Sequence, residues 1–128
     1  MAEMNQTKVF NFYNEVPLAD HLKKFISEKE TVQFCVKTFR DVAAFTDKRI
    51  LIADKQGITG KKVEYFSIPF KNIVTYSIET AGRLDLDSEI KLTLSGGVHI
   101  ELKFMKDKNM DELLLKTYQL INEYVLSS

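Results

Sequence analysis

One pattern constrains this chain more than any other: apolar and polar residues alternate in seven separate stretches after Thr31. The first stretch has Val32, Phe34 and Val36 separated by single residues. The others cover residues 41–45, 49–53, 62–68, 73–78, 89–94 and 98–104. Successive side chains of a strand point to opposite faces, so the alternation predicts seven strands with one buried face each. Short turn-forming links, such as Ser95-Gly96-Gly97, favour antiparallel neighbours.

The end of the chain has a different period. Its apolar side chains are spaced at three and four residues, as on one side of a helix: Met110, Leu113, Leu114, Thr117, Tyr118, Ile121 and Val125. Asn109 followed by Glu112 is a plausible capping start. An amphipathic C-terminal helix is therefore predicted.

Together these elements predict a mainly β fold. Seven strands cannot leave one apolar face bare, so they must fold into a sandwich or a bent antiparallel barrel. The C-terminal helix has the only long apolar stripe positioned to cap an open end of that barrel. At 128 residues, with 45% hydrophobic residues, one domain with its own core is expected.

The first 29 residues are predicted to form a helical arm. Val9, Phe12, Tyr13 and Val16 have helical spacing, and a similar stripe continues after Pro17, where a helix would bend or stop. Two destinations are open for this aromatic-rich arm: it packs back on its own domain, or it docks on a neighbouring protomer.

Charge and composition narrow the function classes. Eighteen basic and eighteen acidic residues cancel, which argues against nucleic acid as a partner and against attraction to an anionic membrane from a distance. One cysteine and two histidines are too few for a zinc site with cysteine ligands. No metal or other cofactor is expected. A single cysteine, and the lack of a signal-like or membrane-spanning stretch, predict a cytoplasmic protein.

Two further patterns resemble functional motifs, a phosphate-binding loop and a catalytic thiol–imidazole pair, but lack features that those motifs need. Gly57-Ile58-Thr59-Gly60-Lys61-Lys62 has two residues between its glycines, where a phosphate-binding loop has four and leads into a helix. Cys35 and His99 form the only candidate thiol–imidazole pair, with no orienting third residue evident. The expectation is a protein that is not an enzyme.

One long segment, Arg40 to Tyr65, is similar to the signature of the bacterial pleckstrin-homology (PH) family. Ser67-Ile68-Pro69, residues 78–82 and residues 85–89 continue the likeness. The resemblance covers roughly Glu30 to the end, so the expected organisation is a helical arm over residues 1–29 and a PH-like domain over residues 30–128. It implies a non-enzymatic domain that forms ring-like homo-oligomers and contacts other proteins.

An interaction surface is expected at the charged turns and strand ends. Arg40-Asp41 and Lys48-Arg49 bracket one strand, and an arginine there could pair with a partner's carboxylate. Alternating carboxylates near residue 87 indicate interfacial negative charge, since the glycine that a calcium loop needs is replaced by Ile90. The predicted surface comprises Arg40, Asp41, Thr46, Lys48, Arg49, Lys61, Lys62, Glu79, Thr80, Asp85, Asp87 and Glu89.

The function predicted is therefore an assembly module that forms a cyclic homo-oligomer and presents a polar surface to an unidentified protein partner. The alternative is a peripheral membrane protein that binds anionic lipid head groups through Lys37, Arg40, Lys61 and Lys62.

Overall fold

A computed structural model describes residues 6–80, 88–105 and 110–127. Its helices and strands are, in chain order, β1 (Thr7–Val16), α1 (Asp20–Lys23), β2 (Val32–Thr38), β3 (Val42–Thr46), β4 (Arg49–Gln56), β5 (Lys62–Pro69), a 3₁₀ helix (Phe70–Asn72), β6 (Ile73–Glu79), β7 (Ser88–Leu94), β8 (His99–Phe104) and α2 (Met110–Leu126).

The described strands form one curled sheet in the order β5-β4-β3-β2-β1-β8-β7-β6. Every neighbouring pair is antiparallel except β1 and β8, which run parallel. The seven strands predicted from alternation are β2 to β8, and all seven are confirmed. The mainly β architecture with a C-terminal helix is confirmed as well.

The remaining strand, β1, was predicted to be helical, and that prediction is wrong. Residues Thr7–Val16 lie in the middle of the sheet, where the first half of β1 pairs with β8 and the second half with β2. Phe10 and Phe12 are both buried in the core, two residues apart as strand geometry requires. Apolar residues at positions 9, 12, 13 and 16 match a helical period by coincidence. The backbone hydrogen bonds to the two neighbouring strands stabilise a strand here instead of a helix.

The helical part of the arm is only one turn, Asp20–Lys23, and it packs on its own chain. Leu22 is fully buried in a small cluster with Cys35, Ala44, Leu51 and Ala53, on the side of β2 to β4 that faces away from the main core. Further along, the rings of Phe25 and Tyr65 lie 4.2 Å apart. Of the two destinations considered for this segment, the structure has the arm covering the outer face of its own sheet.

The main core fills the inside of the curled sheet and is closed by α2. Phe12 contacts both Phe45 and Phe104 edge-on, with ring centroids 5.6 and 5.5 Å apart, a favoured arrangement for aromatic pairs. The side of α2 that faces this core buries Met110, Leu113, Leu114, Thr117 and Ile121. The capping role predicted for the C-terminal helix is therefore confirmed, while its predicted start at Asn109 lies outside the described residues.

Candidate interaction surface

The residues predicted as one interaction surface lie in separate regions. Arg49 faces Pro69 at one end of the β4–β5 ladder, and Gln56 faces Lys62 at the other, about 23 Å away along the strands. Glu79 and Glu89 face each other on β6 and β7, on the other wing of the sheet. Asp85 and Asp87 lie outside the described residues. The described members therefore form three local groups.

The first group centres on a buried ion pair between Glu30, just before β2, and Arg49, the first residue of β4. Arg49 donates through Nη2 to Glu30 Oε1 at 2.7 Å and through Nε to Oε2 at 3.2 Å. The Thr46 hydroxyl donates to Glu30 Oε2 at 2.8 Å, and the Ser27 backbone N–H donates to Oε1 at 2.9 Å. The Glu30 side chain is only 3% exposed, so these donors replace the water that it lost.

These contacts set the ionisation of Glu30. Burial by itself raises the pKa of this carboxyl, but the hydrogen bonds from Arg49, Ser27 and Thr46 outweigh burial and lower the pKa below its ordinary value of 4.5. Arg49 also donates to the Ser67 hydroxyl and to the Phe25 carbonyl. Arg49 thus ties the arm, β4 and β5 together, and the bidentate pairing that the sequence suggested for a partner's carboxylate is made within the chain.

The second group lies at the opposite end of β4. The Arg40 guanidinium donates to the carbonyl oxygen of Gly57 at 2.7 Å and to that of Lys55 at 3.4 Å. Arg40 therefore holds the β4–β5 loop against the β2–β3 loop. Lys61 and Lys62 are exposed at the end of the same β4–β5 loop.

Asp41, next to Arg40, faces the arm instead. Its side chain is 5% exposed, and its Oδ1 lies 2.8 Å from His21 Nε2. The backbone N–H of Asp41 donates to the Thr38 hydroxyl. Asp41 therefore fastens the arm to the β2–β3 hairpin and is not available on the surface.

The third group is a charge cluster across β6 and β7. Lys91 Nζ lies 3.3 Å from Glu79 Oε1 and 3.9 Å from Glu89 Oε1. The hydrogen bond from Lys91 to Glu79 raises the lysine pKa. Glu89 Oε2 is buried without a hydrogen-bond partner among the described residues. Thr80, next to Glu79, is exposed.

The candidate catalytic pair is far from assembled. Cys35 lies under the arm, where burial, with a smaller effect from Glu15, raises its thiol pKa. His99 is two strands away in the sheet order, with its Nδ1 3.2 Å from the Thr93 hydroxyl. Within residues 6–80, 88–105 and 110–127, no three histidine, cysteine or acidic side chains are grouped to hold a metal ion.

A cleft next to the Glu30–Arg49 pair was not apparent from the sequence. It has a volume of about 700 Å³ and lies between the β3–β4 turn, the 3₁₀ helix and the end of α2. Its wall and floor include Lys29, Lys48, Lys71, Pro69, Phe70 and Tyr124, and we call it the basic cleft. Of the residues that line it, Lys48 and Arg49 were among the predicted surface residues. The others converge from segments up to about a hundred residues apart.

The two outer strands of the sheet, β5 and β6, each have one edge unpaired within the described chain. The β6 strand carries β-branched and aromatic residues and a single charge, at Glu79. Val74, on this strand, is 62% exposed. As for membrane crossing, neither α1 nor α2 is long and apolar enough to span a bilayer.

Comparisons with known proteins agree with this architecture. Residues 3–125 match the bacterial PH domain family, so the family likeness includes β1 and the arm as well as the segment after Glu30. Two uncharacterised proteins of Bacillus subtilis (strain 168) are similar: YjqA, 46% identical over 73% of this chain and 77% of its own length, and YozO, 33% identical over 74% and 82%.

Solved structures show the same fold. A DUF1696 family protein with a pleckstrin-homology domain from Shewanella loihica PV-4 superposes with a TM-score of 0.75 at 33% identity, covering 92% of this chain and 98% of that one. A pleckstrin homology domain from Shewanella amazonensis SB2B has a TM-score of 0.63 at 38% identity and covers 84% of each chain. From the sheet order, the capping helix and these matches, the chain belongs to the bacterial PH domain family.

Proposed function

We propose that this protein is a non-enzymatic assembly module of the cytoplasm, which forms a ring-like homo-oligomer and presents a polar surface to a partner protein. The observation that carries the proposal is the pair of sheet edges at β5 and β6, with which no other strand pairs among the described residues. Each edge has a row of backbone N–H and C=O groups that another strand can pair with.

The chemistry of the two edges differs. Natural edge strands usually carry charges or proline, which discourage pairing, and β5 follows this rule with Lys62, Glu64 and Pro69. From Ile73 to Ile78, β6 has neither a charge nor a proline. This strand is therefore the edge on which addition of another chain is most favoured.

Pairing β6 of one copy with β5 of the next supports a ring. The two edges are different surfaces at opposite margins of one sheet, so their contact is heterologous. Heterologous contacts repeat from copy to copy and form a ring when the rotation between copies closes. A contact between two β6 edges would instead be isologous and would stop at a dimer. The mass in solution distinguishes these assemblies.

Light scattering on a size-exclusion peak tests the proposal. We expect a mass several times the 14.8 kDa of one chain. Combining Val74→Lys with Ser77→Lys puts two charges on the β6 edge, and the mass should fall to that of one chain. Gln33→Lys, on an exposed position of the inner strand β2, adds one lysine away from both edges and should leave the assembly intact. A wild-type mass of 14.8 kDa at micromolar concentration contradicts the proposal.

Anionic lipid binding is the second candidate, and one feature favours it. Ile58 is fully exposed and Phe39 is 69% exposed, in the two loops that Arg40 joins. Exposed apolar residues beside Lys61 and Lys62 resemble a surface that dips into a bilayer interface. Against this reading, the Arg40 guanidinium is already bonded to the loop carbonyls.

Sedimentation with vesicles of phosphatidylserine and phosphatidylcholine separates the two candidates. Lipid binding predicts salt-sensitive sedimentation that is lost when Ile58→Ser is combined with Lys62→Glu. If the protein stays in the supernatant at low salt, or if this variant sediments like the wild type, the lipid candidate is rejected.

A further inference from the structure

The basic cleft has an unbalanced set of charges. Among the residues that the structure describes, four basic and two acidic ones line it. Both acidic side chains are already engaged, because Glu30 pairs with Arg49 and Asp47 accepts a hydrogen bond from the Thr31 backbone N–H at 2.8 Å.

The three lysines of the cleft are free of such partners. Lys29, Lys48 and Lys71 are exposed, and none has an ion pair with any residue that the structure describes. They come from three different segments: the stretch before β2, the β3–β4 turn and the 3₁₀ helix. The free positive charge is therefore arranged around the cleft.

The floor of the cleft is apolar and aromatic. Phe70 stacks on Tyr124 of α2, with ring centroids 5.8 Å apart and planes inclined by 19°, and Pro69 lies beside them. Burial raises the pKa of the Tyr124 hydroxyl, with smaller effects from Glu123 and Asp47, so this hydroxyl stays protonated at neutral pH. It can donate a hydrogen bond to an acceptor on a bound molecule.

The cleft is also held in shape before anything binds. Arg49 joins the arm, β4 and β5 on one wall through its bonds to Phe25, Glu30 and Ser67. A site that needs little reordering loses less entropy on binding. Its volume of about 700 Å³ is in the range of sites that enclose side chains or small ligands.

We propose that the basic cleft binds an acidic peptide segment of a partner protein. An apolar or aromatic side chain of the peptide packs on Phe70 and Tyr124, and carboxylates on either side of it pair with Lys29, Lys48 and Lys71. This inference rests on the proposed function, since it identifies the kind of partner that the module recruits. A concave site with an aromatic floor suits a peptide side chain better than a flat bilayer surface.

Fluorescence anisotropy tests the proposal with a defined probe. The probe is a fluorescein-labelled peptide with glutamates on both sides of one phenylalanine, and the reference peptide has glutamines in place of the glutamates. We expect the acidic peptide to bind the wild-type protein, with an affinity that falls as salt is added, and the glutamine peptide to bind at least tenfold more weakly.

Charge reversal locates the site. Combining Lys48→Glu with Lys71→Glu should weaken peptide binding by roughly tenfold or more, since two attractions become repulsions. The matched control combines Lys61→Glu with Lys62→Glu, the same charge change at the far end of β4 and β5, and should bind the peptide like the wild type. A second variant, Tyr124→Ala, should weaken the acidic peptide while leaving its salt dependence unchanged.

Three results overturn the proposal: no binding of the acidic peptide, equal binding of the glutamine peptide, or an equal loss in the Lys61 and Lys62 control. Binding to phosphatidylserine vesicles that is lost with Lys48 and Lys71, in the absence of peptide binding, also overturns it. Light scattering on the same variants keeps the two proposals apart. An intact ring without peptide binding rejects the cleft alone, and peptide binding by a single chain rejects the ring alone.

Discussion

Glu30 and Arg49 lie 19 residues apart in the sequence, and their side chains meet through two hydrogen bonds of 2.7 and 3.2 Å. The pair joins the segment before β2 to the first residue of β4. Arg49 also donates to the Phe25 carbonyl and so holds the arm. Both residues of the pair line one wall of the basic cleft. Stability and the shape of the candidate site therefore depend on the same contact.

Arg49→Ala should destabilise the protein by about 3 kcal/mol, because it leaves the Glu30 carboxylate buried without its cation. Chemical unfolding followed by circular dichroism measures the change. Lys48→Ala, at the exposed neighbouring residue, is the control and should stay within about 0.5 kcal/mol of the wild type. A cost for Arg49→Ala of less than about 1 kcal/mol would show that the pair is not a stabilising contact.

The contribution of Glu30 should depend on pH. Its pKa in the folded protein lies below the ordinary value of 4.5, so folding favours the ionised form. The resulting stability is complete above pH 4.5 and declines as the pH falls through the lowered folded-state pKa. Glu30→Gln should therefore cost more stability at neutral pH than at a pH well below 4.5, because the contribution of the wild-type carboxylate declines as it becomes protonated. An equal cost at both pH values would contradict this assignment.

Gly60→Ala should be more harmful than Gly57→Ala, although both glycines have positive φ, +67° and +70°. A Cβ at Gly60 lies 2.8 Å from Arg40 Nη2, whereas a Cβ at Gly57 has no atom within 4 Å. Beyond the shared backbone cost of about 1 kcal/mol for an L-residue at positive φ, Gly60→Ala displaces the guanidinium from the loop carbonyls. The extra loss should be about 1 kcal/mol.

An Arg40→Ala background provides the control for the glycine pair. Without the guanidinium, the two alanine substitutions should cost the same free energy of unfolding. If Gly60→Ala is still the more costly in that background, the contact with Arg40 is not the cause.

Leu22→Ala should destabilise the protein by about 3 kcal/mol, because it opens a cavity in the fully buried cluster beneath the arm. Glu28→Ala, at an exposed position of the same segment, should be nearly neutral. Thermal unfolding measures both variants. Equal transition temperatures for the two would mean that the arm is not packed on the sheet in solution.

Much of the fold could be predicted from local patterns. Alternation in β2 to β8 and the three-and-four spacing in α2 reflect which face of each element is buried, and that information is carried by neighbouring residues. In β1 both patterns were present. Helical spacing is present at Val9, Phe12, Tyr13 and Val16, while Phe10 and Phe12 have the spacing of a strand. The strand forms because the backbone N–H and C=O groups of β2 and β8 pair with those of this segment.

The candidate site was less predictable. The sequence identified Arg40, Asp41 and Arg49 as residues that could contact a partner. In the structure each of them bonds within the chain instead, to Gly57, His21 and Glu30 respectively. No signal in the sequence pairs Glu30 with Arg49 or places Lys29, Lys71 and Tyr124 around one cleft. Their separations along the chain are long, and side-chain chemistry alone does not say which partner is near.

The sequence by itself determined the element types after Thr31, the capping helix and the family, because periodic burial and turn residues act over a few neighbouring positions. Tertiary structure alone decided that Thr7–Val16 is a central strand and which charged side chains pair within the chain. It also decided where three lysines, without an ion pair among the described residues, surround an aromatic floor. Those outcomes depend on groups that folding brings together from distant segments. Backbone N–H and C=O groups and charged side chains that become buried there need a hydrogen-bond or ion-pair partner.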